Sequence, residues 1–189
     1  MRDAGRSERT RDLLVRVTAQ VIAEGCPADA GLVTIVNRAG VSRGALYHHF
    51  PSTTELIATV YRQARCRVLA MAGALLVGPA SEGLGCFLAE LGGQMTDDEV
   101  VRAGMQLAAD GTTGPPSLRD EVLAIVRTYV RGQHGEDETA SAPLVDVAEL
   151  VTAGVAAVRF DATAFDSQWQ LLKPLFAAAG AAPGSSPAT

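Results

Sequence analysis

An all-α fold of about nine helices is what this sequence of 189 residues predicts. Apolar residues recur at three- and four-residue spacings instead of alternating. Ala, Leu and Val are abundant while aromatic residues make up only 5% of the chain, a composition of helices rather than of a sandwich. Breaks rich in Gly, Pro and Ser separate the periodic stretches. No apolar run reaches the roughly 18 to 20 residues that a bilayer requires, and the arginine-rich start does not read as a signal segment. A soluble, cytoplasmic protein without membrane contact is expected.

From Glu8 to Glu24, Leu13, Leu14, Val17, Val21 and Ile22 form one apolar stripe, and Gly25 with Pro27 ends it. The stretch from Leu32 to Ala39 is a short second helix. After Gly40 and Val41, Ser42 is a good N-cap for a third helix running through Leu46 and Tyr47 towards Phe50. Pro51 interrupts the pattern, and Ser52 or Thr53 caps a longer fourth helix that carries Leu56, Ile57, Val60, Tyr61, Val68 and Leu69. Further helices are predicted near 82–92, 97–109, 117–131, 143–158 and 162–178, between loops that begin at Gly78, Gly111 and Gly132. The closing AAPGSSPAT, 181–189, has the composition of a disordered tail. Residues 1–70 are thus expected to form one domain and 71–180 a second.

Charge separates the same two segments. Residues 1–70 hold ten Arg against six Asp and Glu, a balance of +4, whereas the remainder stands at −9. A basic head on an acidic body fits contact with phosphate at one end only. Cys26, Cys66 and Cys86 are widely spaced and form no CxxC pair, so they are expected to be reduced, mostly structural thiols, with no metal and no cofactor.

A short helix, a turn containing glycine and a second short helix make a helix-turn-helix, whose second helix enters the DNA major groove. Ile35, Ala39, Val41 and Leu46 fall on the inward face. On a 3.6-residue period, Ser42, Arg43, Gly44, Tyr47 and His48 fall outward. Arg43 can fork onto guanine or phosphate, Gly44 permits close backbone approach, and Ser42, Tyr47 and His48 can bond phosphate oxygens. Arg2, Arg6, Arg9 and Arg11 sit where an arm could reach a neighbouring phosphate.

The stretch LVTIVNRAGVSRGALYHHFPSTTEL, Leu32 to Leu56, closely resembles the TetR family of bacterial transcriptional regulators, over about the first 60 residues. That resemblance implies an N-terminal three-helix DNA-binding domain joined to a helical ligand-binding and dimerisation domain. It places Thr34, Ser42, Arg43, Gly44, Ala45, Tyr47, His48 and Thr53 at DNA-contacting positions. Two residues depart from the family pattern: Thr53 replaces a phosphate-binding lysine, and Gly31 stands where a Thr often caps the second helix.

A helix-turn-helix reads few base pairs, so two copies on a pseudo-palindromic operator, and hence a homodimer, are expected. Val147, Leu150, Val151, Val155, Val158, Trp169, Leu172 and Phe176 are candidates for the shared interface. Leu75, Phe87, Leu91, Met105, Leu118, Val122 and Ile125 are the expected lining of an apolar pocket for a small-molecule effector, with Gln106 or Thr128 as polar anchors. More narrowly, GALYHHF, VVRAGMQLA and AELVTAGVAAV resemble the γ-butyrolactone receptor branch. That branch carries a tryptophan in the helix after the loop, whereas residues 117–131 here contain none and Trp169 lies in the last helix. No spaced Ser/His/Asp set and no phosphate loop is present; GLGCFLAELG from Gly83 follows no strand pattern. A non-enzymatic regulator is expected.

Overall fold

The computed structural model describes residues 2–24, 31–107, 117–133, 138–157 and 161–178. Those residues form nine α-helices: α1 (Arg2–Ala23), α2 (Leu32–Ala39), α3 (Arg43–His49), α4 (Thr53–Leu75), α5 (Ala80–Asp97), α6 (Glu99–Gln106), α7 (Leu118–Gly132), α8 (Glu138–Ala157) and α9 (Ala162–Ala178). They contain no strand. The all-α expectation holds, and so does the order of its elements. None of the described helices is long and apolar enough to cross a membrane.

The chain divides into two compact units, residues 1–69 with 94–119 and residues 70–93 with 120–189. The first therefore takes in a segment, 94–119, that lies well beyond the expected N-terminal domain. Packing explains the addition. The stripe of α1 buries Leu14, Val17, Val21 and Ile22, and α1 packs against α6 as well as against α2 and α3. Thr18 joins that stripe at no polar cost, because its hydroxyl donates to the Leu14 carbonyl at 2.7 Å. The helix α6 brings Val101 and Ala103, both fully buried. Asp98 starts it, one carboxylate oxygen accepting from the Val100 and Val101 amides at 2.9 and 3.3 Å. Arg67 of α4 pairs with the other oxygen. At Gly104 a Cβ would stand 2.2 Å from that of Ala64, so α6 approaches α4 where only a hydrogen fits.

Leu84, Phe87, Leu88 and Leu91 of α5 lie in the core of the second unit together with Val126 and Val130 of α7. Trp169 closes it: the indole stacks between Phe165 and Phe176, at centroid distances of 6.1 and 5.5 Å, and its N–H donates to the Ser81 carbonyl at 3.3 Å. Tyr129 holds the link after α4, its hydroxyl lying 3.0 Å from the Gly78 carbonyl and 3.1 Å from that of Pro79. Arg127 of α7 pairs with Glu149 of α8 at 2.6 Å.

Three element boundaries differ from expectation by about five residues or more, and one of them is the end of α5, which runs on to Asp97 instead of stopping near 92. The first helix begins at Arg2, ahead of the apolar stripe that starts near Leu13, because helical hydrogen bonding can extend without apolar contacts. Its first arginines are consequently helical along the backbone and not an extended arm. The eighth helix begins at Glu138 and contains Pro143 instead of starting there. Proline removes a single ladder bond, a loss that tertiary packing of the flanking turns can offset. The cysteine expectation also changes: Cys66 and Cys86 are free but exposed, so neither fills a core position, and Cys26 lies outside the described residues.

Candidate functional site

The turn between α2 and α3 is built by two residues. Gly40 adopts φ 63 and ψ 30, the left-handed region, and ends α2 with its amide bonded to the Asn37 carbonyl at 3.3 Å. The Val41 amide then reaches back to Val36 at 3.1 Å, completing a Schellman cap. Ser42 is extended and accepts from the Ala45 amide at 3.1 Å, which starts α3. That bond uses an acceptor lone pair, leaving the hydroxyl proton of Ser42 available to a phosphate oxygen.

The recognition candidate α3 has seven residues, too few to be stable alone. Leu46, fully buried, and Phe50, 2% exposed, fasten it to the unit. With those two inward, Ser42, Arg43, Gly44, Tyr47 and His48 are all exposed, Tyr47 by 50%. Arg43 makes no ion pair with any described residue. Ala45, Thr34 and Thr53 are half-buried. Of the two N-cap candidates for α4, Ser52 is the cap, accepting from the Glu55 amide at 3.1 Å. Thr53 therefore occupies the first helical turn, where amides lack intrahelical acceptors and the dipole favours an anion.

Neighbouring charges are arranged unevenly. Arg38, on the last turn of α2, is held by Glu24 at 2.7 Å, and that hydrogen bond keeps the Glu24 carboxyl below its ordinary value. It is committed to joining α1 and α2. Arg11 lies with its guanidinium carbon 5.0 Å from the centroid of the Phe50 ring. The rings of His48 and His49 meet edge to face at 5.1 Å. Burial first, then the adjacent His48 and Arg11, holds the His49 imidazole below its usual value. Reading the sequence assigned Arg11 to an arm; no periodicity rule places a charged residue of α1 over a ring that follows α3. Arg2 and Arg6 have no described side chains.

The candidates outside this face scatter. Leu75, Phe87, Leu91, Val122 and Ile125 belong to the second unit, Leu75 and Ile125 half-buried and the other three buried. Met105 and Leu118 are buried in the first. A groove of about 610 Å³ in the first unit is lined instead by polar residues, among them Asp12, Arg16, Gln63, Arg67 and Glu99. Gln106 keeps its side-chain oxygen buried without a hydrogen-bond partner, whereas the Thr128 hydroxyl is satisfied by the Ala124 carbonyl at 2.9 Å.

Along α8 and α9 the apolar residues face two ways. Val155, Trp169 and Phe176, named as interface candidates, are buried within their own unit, and Val158 lies outside the described residues. Leu150 is 73% exposed, as is Leu171 by 79%, with Leu175 one turn beyond. Val147, Val151 and Leu172 are half-buried beside them. The spacing of Ala164, Gln168, Leu171 and Leu175 marks one face of α9, a signal present in the sequence but masked by the larger aromatic residues.

Residues 14–60 match the family model described as bacterial regulatory proteins, tetR family. No curated protein sequence matches the chain. Among solved structures, a gamma-butyrolactone receptor, described as an ArpA-like protein, is 24% identical, with a TM-score of 0.70 over 88% of this chain and 86% of that one. The TetR family protein CprB from Streptomyces coelicolor, solved in complex with its biological operator sequence, is 23% identical, with a TM-score of 0.70 over 88% of each chain. A TetR-like transcriptional regulator from a Rhodococcus species is 20% identical, with a TM-score of 0.62 over 88% and 92%. The fold is that of these regulators, and the helix-turn-helix lies inside the matched family domain.

Proposed function

We propose that this chain, whose residues 14–60 carry the tetR-family domain, is a homodimeric transcriptional repressor released from a pseudo-palindromic operator by a small apolar ligand. The observation that carries the reading is the exposed face of α3, where Arg43, Gly44, Tyr47 and His48 stand together on a helix held from behind by Leu46. An arginine with no ion-pair partner among the described residues, beside a glycine, a phenol and an imidazole, supplies both base-edge and phosphate donors. The first turn of α4 adds a place for a further phosphate.

Dimerisation is supported by Leu150, Leu171 and Leu175, since burying such leucines in a second copy removes surface that water otherwise wets. Two α3 helices must then stand about 34 to 36 Å apart to meet successive major grooves. Two solved structures of similar fold are gamma-butyrolactone receptors, which favours a γ-butyrolactone as effector. Phe87, Leu91 and Val122 are buried apolar groups suited to an apolar effector. Release requires that the ligand bind the DNA-incompetent form more tightly, and the ratio of its two affinities sets the loss of operator affinity.

The test is fluorescence anisotropy on inverted repeats taken from the DNA flanking the gene, with and without γ-butyrolactones. Saturable binding at one repeat, reversed by a lactone, supports the whole reading. Binding that no lactone reverses leaves a DNA-binding regulator without this effector, and absence of sequence preference removes the groove assignment.

A further inference from the structure

Two points define the axis of a short helix. For α3 they are Leu46, fully buried in its middle, and Phe50, which ends it with its amide bonded to the Leu46 carbonyl at 2.9 Å. The first is held by core packing alone. The second is 2% exposed, and one of the groups that cover it is charged: the Arg11 guanidinium of α1, 5.0 Å from the ring centroid. Phe50 is also followed directly by Pro51 and by the Ser52 cap of α4, so its seat sets where one helix ends and the next begins.

We propose that Arg11 is a positioning residue of the DNA-reading surface, its guanidinium clamping the Phe50 ring so that α3 presents Arg43, Tyr47 and His48 at a fixed angle. This rests on the DNA-binding reading above. A cation over an aromatic face is directional as well as attractive, which an apolar cover of the same size is not. The same side chain acts on the helix electrostatically. Burial first, then His48 from its own helix and Arg11 from α1, the charged groups that face it, hold the His49 imidazole below the ordinary value. His48 is exposed and His49 half-buried, so His48 is the ring placed to meet phosphate.

The experiment compares the full-length chain with Arg11→Met, Arg11→Lys, Phe50→Leu and the double variant Arg11→Met/Phe50→Leu. Operator affinity is read by anisotropy, folding by far-UV circular dichroism, and the two imidazole titrations by NMR. Methionine keeps an apolar stem over the ring and removes the charge; lysine keeps a cation. The expected result is a Kd raised about five- to tenfold in Arg11→Met, restored in large part by lysine, on the scale of a partly desolvated cation–π contact. The double variant should lose no more than the larger single loss. The His49 midpoint should rise in Arg11→Met and stay near its parent value in Arg11→Lys. A purely space-filling Arg11 would leave methionine at parent affinity with an unmoved His49, and that overturns the proposal while operator binding by the parent stands. Losses that simply add in the double variant also overturn it. If the parent chain binds no DNA, the DNA-binding reading fails first and takes this one with it.

Discussion

Replacing Arg43 by alanine isolates the groove contact from the fold. The side chain is exposed, pairs with no described residue and lies on the face of α3 opposite Leu46, so its loss should change folding stability by no more than about 0.5 kcal/mol. On the proposed operator the effect should be large. One good bidentate pair to a guanine contributes roughly 1–3 kcal/mol of discrimination, and the proposed dimer would carry two copies, which gives about 2–6 kcal/mol in total. At about 1.4 kcal/mol per decade the lower bound is roughly a thirty-fold weaker complex. Two fewer phosphate-neutralising charges would also flatten the plot of log K against log salt by about 1.8. The assay is anisotropy on the operator and on scrambled DNA between low and moderate salt, with Arg131→Ala, an exposed arginine of α7, as the control. A slope that falls on both DNAs alike means Arg43 touches phosphate; a loss confined to the operator means it reads a base. An unchanged slope together with unchanged operator affinity would refute the groove-facing assignment.

Gly40→Ala meets no atom within 4 Å, so its cost is purely the left-handed backbone, about 1–2 kcal/mol, seen as a melting point lower by roughly 2–8 °C. Asparagine should cost less than alanine there, and the reverse order would contradict a backbone origin. Leu171→Glu should leave the monomer folded but shift the assembly from dimer to monomer in light scattering, since the side chain is 79% exposed in one chain; a retained dimer would place the interface elsewhere. His49 has a folded pKa depressed below its unfolded value of about 6.5, so the unfolded chain binds more protons in that window. Stability should therefore rise as pH increases towards about 6.5 and level off above, and His49→Gln should flatten that rise in denaturant titrations.

Much of the molecule was legible because it is local. The αL glycine, the serine cap and the 3.6-residue stripe each act within a turn or two of chain, which is why Gly40, Ser42 and Leu46 could be placed and the outward set Arg43, Gly44, Tyr47 and His48 follows from them. The long elements were found for the same reason, with errors where a helix outran its apolar stripe, as at Arg2, or accommodated a proline, as at Pro143. The pocket residues were less legible. A buried Phe87 and a buried Met105 look alike in sequence, yet one belongs to the second unit and the other to the first.

By itself, then, the sequence determined the helices, their order and the side of α3 that meets solvent, since periodicity and capping depend on near neighbours alone. Only the tertiary structure decided that 94–119 joins the N-terminal unit, that Arg11 covers Phe50, and that Trp169 turns inward while Leu171 stays wet. A stripe states that a face is apolar; which surface covers it depends on residues far away in the chain, and those distances are set by packing.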